Sequence, residues 1–177
     1  MQLYQMRLIL CLLFFCLFLN IAFSQTSIDK TLEKFNRNTV EYISVDELKS
    51  SENFILLDTR KIEEFEVSKI KNAVWVGYKK FKISKVQNNF PDKKTPIVVY
   101  CSIGVRSEDI GEKLQKAGYT NVKNLYGGIF EWKNKNNPVY NMSNNKTEKV
   151  HAFSKHWSKL LTNAEKIYST NNSKPIE

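Results

Sequence analysis

Residues 96–107 read Pro-Ile-Val-Val-Tyr-Cys-Ser-Ile-Gly-Val-Arg-Ser, and the fold turns on how this stretch is read. Ile97-Val98-Val99-Tyr100 is apolar without alternation, as expected of a strand covered on both faces. A few residues later, Ser107 to Ala117 carries Ile110 and Leu114 four apart on one helical face, with Gly118 placed to stop the helix. A strand, a short loop and a helix in that order describe the carboxyl end of a parallel strand, where open α/β sheets receive ligands. The same grammar recurs on either side. Phe54-Ile55-Leu56-Leu57 is a compact strand ending at Asp58, Ala73-Val74-Trp75-Val76 a weaker one, and Asn121 to Tyr126 a last short one. Tyr42-Ile43 runs into Ser44-Val45-Asp46-Glu47, a capping box that starts a helix. Gly127-Gly128 opens another helix, carrying Phe130 and Trp132. Short strands alternating with helices predict an α/β domain with a mainly parallel central sheet.

The chain has 177 residues, a length that suits one domain with additions. A hydrophobic content of 42% excludes a wholly disordered chain, and six glycines with four prolines exclude a collagen-like one. The formal charge of +9 permits anionic partners without choosing among them. The lysines scatter, no nucleic-acid motif accompanies them, and no nucleic acid is expected as partner.

At the N-terminus, Arg7 precedes Leu8–Leu19, twelve residues without a polar group, and Ala22-Phe23-Ser24 follows with small residues at both ends. This pattern predicts a signal peptide over residues 1–24 and an exported, periplasmic or secreted product. A membrane anchor is the alternative, but a span needs about 20 apolar residues and Asn20 interrupts the run, so no stable span is expected after cleavage. Cys16 follows Phe15 rather than a small residue, which argues against a lipoprotein. Cleavage would remove Arg7, Cys11 and Cys16, leaving 26 basic against 18 acidic side chains and one thiol, Cys101. A lone cysteine in an exported chain is either an inert buried side chain or a reactive group.

The remaining organisation is a polar lead-in over 25–39 with spaced apolar Ile28, Leu32 and Phe35, read as a short helix or a tail, the α/β domain over 40–140, a linker over 141–149 rich in Asn and Lys, and a tail over 170–177. Between linker and tail, Val150, Phe153, Trp157, Leu160, Leu161, Ala164 and Tyr168 recur at helical spacing, which predicts an amphipathic helix over 150–169 docked on the domain. His151 and His156 lie five apart, off a common helical face, and no metal site is expected.

Cys101 is the candidate for chemistry. The loop Ser102-Ile103-Gly104-Val105-Arg106 must curl tightly between strand and helix, and Gly104 supplies freedom for positive φ. Such a loop turns successive amides inward and forms an anion-binding nest backed by a helix N-terminus. Those dipoles and Arg106 would lower the thiol pKa and favour the nucleophilic thiolate. An inert core cysteine needs neither the glycine nor the arginine.

Here the sequence resembles the single-domain rhodaneses of the sulfurtransferase superfamily. The resemblance covers about Ile43 to Tyr140 and rests on Cys101-x-x-Gly104-x-Arg106-Ser107, on Asp58-x-Arg60 with Glu64-Phe65, and on Gly127-Gly128-x-x-x-Trp132. It implies a three-layer α/β/α domain and a thiosulfate sulfurtransferase-type activity without a cofactor. A small sulfur-containing anion or a thiol donor would load Cys101 as a persulfide, and cyanide, a small thiol or a protein thiol would unload it. The resemblance further implies that the amides of Ser102 through Arg106 stabilise the anionic sulfur, that the Arg106 side chain attracts the donor, and that Asp58, Arg60 and Ser107 support the loop. Where the family often reads Gly-His-Ile-x-Gly-Ala, this chain has Ser68-Lys69-Ile70-Lys71-Asn72-Ala73, so the turn is expected with changed geometry. Phosphatases and arsenate reductases of similar fold use a loop one residue longer, and position 107 is serine rather than arginine. The alternative within the family is a non-enzymatic sulfur-carrier or docking module.

Overall fold

The computed structural model describes residues 28–51 and 53–168. The predicted signal peptide and residues 170–177 lie outside the described residues. Helix α1 covers residues 28–35. There follow β1 (Tyr42–Ile43), α2 (Val45–Ser50), β2 (Ile55–Asp58), α3 (Ile62–Val67), β3 (Val74–Trp75), α4 (Ile83–Asn89), β4 (Ile97–Tyr100), α5 (Val105–Lys116), β5 (Val122–Leu125) and α6 (Gly128–Asn134). Beyond these come β6 (Val139–Tyr140), β7 (Lys146–Thr147), β8 (Lys149–His151), a 3-10 turn (Trp157–Leu160) and β9 (Glu165–Ile167).

The central sheet has five parallel strands in the order β1-β5-β4-β2-β3. β4 is in the middle, and all four of its residues are buried. Its side chains alternate between two cores, as strand geometry requires. Ile97 and Val99 join Leu57, Val86, Ile110, Leu114 and Val122 on the α4 and α5 side. Val98 and Tyr100 join Ile43, Leu48, Leu125, Ile129 and Phe130 on the other. The continuous apolar run at 97–100 is therefore two half-cores read in one line. The capping box at Ser44 and Glu47 forms in both directions.

Ordered elements lie on both sides of residues 40–140. In the lead-in, Ile28 and Leu32 of α1 are buried in the core that holds β4. Residues 141–149, predicted as linker, hold β7, which pairs antiparallel with β6 around a turn in which the Asn141 side chain accepts the amides of Ser143 and Asn145. The amphipathic helix predicted over 150–169 is corrected. β8 pairs parallel with β9, Lys149 opposite Glu165 and His151 opposite Ile167, and the 3-10 turn lies between. Val150, Leu160 and Leu161 are buried as their spacing implies, and the segment does dock on the domain. Its backbone bonds, however, come from partners 16 residues away. A tight turn, in which the Ser154 amide donates to the Ala152 carbonyl at 2.7 Å, breaks the helical path. Local periodicity carries no information about such a pairing.

The Ser68–Ala73 turn closes through the Ala73 amide on the Ile70 carbonyl, 3.1 Å. Ser68 is extended, a conformation that needs no glycine, and Asn72 takes φ +61, which asparagine tolerates. Lys69 pairs through its backbone with Tyr140 and lays its ammonium against the Phe65 ring.

Candidate active site

Cys101 follows the last residue of β4, and α5 begins four residues later. The thiol is an unpaired cysteine, 1% exposed. Gly104 takes φ +108, as the tight curl requires, and its amide donates to Cys101 Sγ at 3.2 Å. Burial pushes the thiol pKa up, but the Arg106 charge, the amides of Gly104 and Ser107 and the Ser107 hydroxyl together bring it below its ordinary value. Of the amides assigned to the sulfur, Gly104 makes this contact; the Ser107 groups that help lower the pKa lie outside the assigned set.

The loop is tied down from three directions. The Gly104 carbonyl accepts from Asn124 Nδ2 at 2.8 Å and from Asn36 Nδ2 at 3.1 Å. Ser107 Oγ donates to Asn124 Oδ1 at 2.7 Å, so one buried amide of β5 braces both ends of the turn. From α6, the amides of Ile129 and Phe130 donate to the carbonyls of Cys101 and Ser102, each at 3.0 Å. This approach needs Gly128. A Cβ there would stand 2.4 Å from the Cys101 carbonyl oxygen, and the backbone is at φ +54.

Arg106 is not a free cation. Its Nη1 donates to Glu64 Oε2 at 2.7 Å, and its Nη2 donates to Glu64 Oε1 at 2.9 Å and to Ser102 Oγ at 3.0 Å. Ser102 Oγ donates in turn to Glu64 Oε1. The arginine side chain is 16% exposed and the glutamate 1%. Burial would raise the Glu64 pKa, but hydrogen bonds and charge from Arg106, aided by Arg60, hold it at about 2. The positive charge expected to draw a donor is thus matched by a buried carboxylate.

Asp58 and Arg60 form a fully buried pair, 2.6 Å, and Arg60 also donates to the Ser68 carbonyl at 2.6 Å while its guanidinium stands over the Tyr100 ring. They brace the Ser68 turn and the end of β4, reaching the cysteine loop through Tyr100. The backbone does the same: the Thr59 amide donates to the Tyr100 carbonyl at 2.9 Å. Ile103 is buried in the core beside Val98 and Tyr100, with Val105 packed against it.

Four contributors had no assigned role in the sequence reading. Glu64 appeared within a motif, and the need to balance a buried arginine is the signal that identifies it. Asn124 is a polar residue between Val122 and Leu125 in a buried strand, where its amide must find partners. Gly128 belongs to the Gly127-Gly128-x-x-x-Trp132 motif and starts a helix, but neither signal shows that it must admit the carbonyl of Cys101. Asn36 offers no local signal.

The Rhodanese-like domain model matches residues 43–135. The chain belongs to the rhodanese-like family. Among curated proteins, this rhodanese-like chain is 27% identical over 94 residues to the thiosulfate sulfurtransferase GlpE of Coxiella burnetii, covering 53% of this chain and 85% of the relative. It is 36% identical over 97 residues to an adenylyltransferase and sulfurtransferase of Meyerozyma guilliermondii, covering 51% of this chain and 23% of the relative. The matched stretch spans about a quarter of the fungal relatives. A tRNA uridine(34) hydroxylase of Rickettsia prowazekii is 30% identical over 116 residues, 62% of this chain and 47% of that protein. The crystal structure of a thiosulfate sulfurtransferase from Pseudomonas aeruginosa superposes with a TM-score of 0.54 at 20% identity, covering 78% of this chain and 26% of that one, and shows the shared fold. At the general level the relatives support a transferase-type, sulfur-transfer role.

Proposed function

We propose that this protein is a sulfurtransferase that carries sulfane sulfur as a persulfide on Cys101. What supports this reading is the thiol itself, with its pKa lowered and the Gly104 amide 3.2 Å from its sulfur. The thiolate attacks the outer sulfur of a thiosulfate-like donor, a new S–S bond forms, and the old one breaks with its electron pair leaving on sulfite. The persulfide keeps one negative charge, which inward amides and the α5 N-terminus accommodate. An acceptor such as cyanide then takes the outer sulfur as thiocyanate, and the cysteine thiolate returns. The leader-like N-terminus supports work outside the cytoplasm, with a small thiol or protein thiol as acceptor there.

The test is mass spectrometry of the full chain after incubation with thiosulfate. One added sulfur on Cys101, discharged by cyanide and absent in Cys101→Ser, is the expected result. No adduct at any donor concentration would overturn the enzyme and favour a docking module.

A further inference from the structure

Residues 149–167 lie beyond the stretch matched by the family and form a two-stranded flap. β8 lies against α3, which carries Glu64. Val150, Ala152 and Leu161 share a core with Ile103 of the cysteine loop. At the first bend of the flap stands Phe153. Its backbone takes φ +62, a left-handed conformation that is strained for a non-glycine residue. Burial does not account for that strain, since Phe153 is 39% exposed. The bend is held locally instead: the Phe153 amide donates to His151 Nδ1 at 3.1 Å, and the Ser154 amide to the Ala152 carbonyl. Its result is to bring the aromatic ring to the guanidinium of Arg106, whose central carbon stands over the ring at 4.8 Å. Further along the flap, Trp157 meets Phe35 of α1 edge-on, with ring centres 5.8 Å apart.

Arg106 is therefore engaged on its edge by Glu64 and Ser102 and on its face by Phe153. Little of it remains open, and Cys101 beside it is buried. The strained turn thus sets an aromatic ring against the guanidinium that neighbours the thiol.

We propose that Phe153 is a specificity-determining residue of the sulfur-transfer site: its ring narrows the approach beside Arg106 and restricts Cys101 to small donors. The inference rests on the sulfurtransferase reading above. It predicts discrimination between donors that present the same transferable sulfur on the same sulfonyl group with the same charge and differ in bulk. Methanethiosulfonate and benzenethiosulfonate are such a pair, the methyl group in one being replaced by an aryl ring in the other.

The experiment compares the full chain with Phe153→Ala and Phe153→Gly, measuring kcat/KM for both donors with cyanide as acceptor. Glycine adopts the left-handed backbone freely, so Phe153→Gly keeps the turn while deleting the ring. Both variants are expected to raise the benzenethiosulfonate-to-methanethiosulfonate ratio about tenfold, in the range that a change of pocket volume produces. An unchanged ratio in the glycine variant overturns the proposal. A second measurement does not depend on sulfur transfer: alkylation of Cys101 by iodoacetamide and by N-phenylmaleimide, followed by peptide mass. Loss of the ring should accelerate the bulky reagent more than the small one, and equal acceleration, or none, overturns the gate even where no persulfide forms. Failure of the persulfide assay with selective alkylation intact would instead count against the sulfurtransferase reading alone.

Discussion

Arg106 of α5 and Glu64 of α3 meet in a two-bond fork, 2.7 and 2.9 Å, although 42 positions separate them in the chain. The fork joins the helix that leaves the cysteine loop to the helix that follows β2. Ser102 closes it into a triangle by bonding to both partners. The arginine of the signature is thereby a structural charge as well as an electrostatic one, lowering the thiol pKa from within a neutralised pair.

Glu64→Gln keeps the shape of the side chain and removes its charge. Breaking a buried pair from one side costs about 3–5 kcal/mol, and the partial exposure of Arg106 sets the expectation near the lower figure. Urea denaturation measures it. A loss under about 1 kcal/mol would rank the fork with ordinary surface bridges.

The same carboxylate gives the protein an acid limb. Its pKa is held at about 2 against an ordinary 4.5, so its contribution is complete above pH 4.5 and is lost as pH falls from there toward 2. A shift of that size corresponds to roughly 3 kcal/mol across the window. The stability of Glu64→Gln should fall less steeply over this range than that of the wild type, and parallel curves would exclude Glu64 as the source.

The thiol should titrate below an ordinary cysteine. Burial opposes this, but the Arg106 charge and the loop donors prevail. The pH dependence of Cys101 alkylation reports the midpoint directly. Arg106→Gln should move that midpoint up, because the cation is lost and Glu64 stays close by. A midpoint that does not move would assign the lowered pKa to the loop amides and the Ser107 hydroxyl.

Gly128→Ala tests the contact between α6 and the loop. The added methyl meets the Cys101 carbonyl oxygen at 2.4 Å, on a backbone at φ +54. Both features penalise alanine, and a combined loss of at least about 2 kcal/mol is expected. Cys101 persulfuration should slow as well, since the Cys101 and Ser102 carbonyls are anchored there. Unchanged loading with lowered stability would mean that the loop holds its shape without α6.

Much of the domain was legible because its signals are local. The run at 97–100 marks a doubly covered strand whatever covers it, and Gly104 with Arg106 marks a tight nest beside a cysteine. The fork was not legible in the same way. Glu64 and Asn124 look like ordinary polar residues until burial requires partners for them. The C-terminal segment misled for a related reason: Val150, Leu160 and Leu161 are buried at helix-like intervals, yet strand pairing to Glu165–Ile167 supplies the backbone bonds.

By itself the sequence determined the parallel α/β domain and the place of Cys101 at the end of its central strand, because strand runs, caps and the Cys101–Ser107 spacing act over a few residues. Only the tertiary structure decided what surrounds that thiol. A buried charge must be matched and a bend must be held by whatever the fold brings near, and for Arg106 these are Glu64 from α3 and Phe153 from the flap.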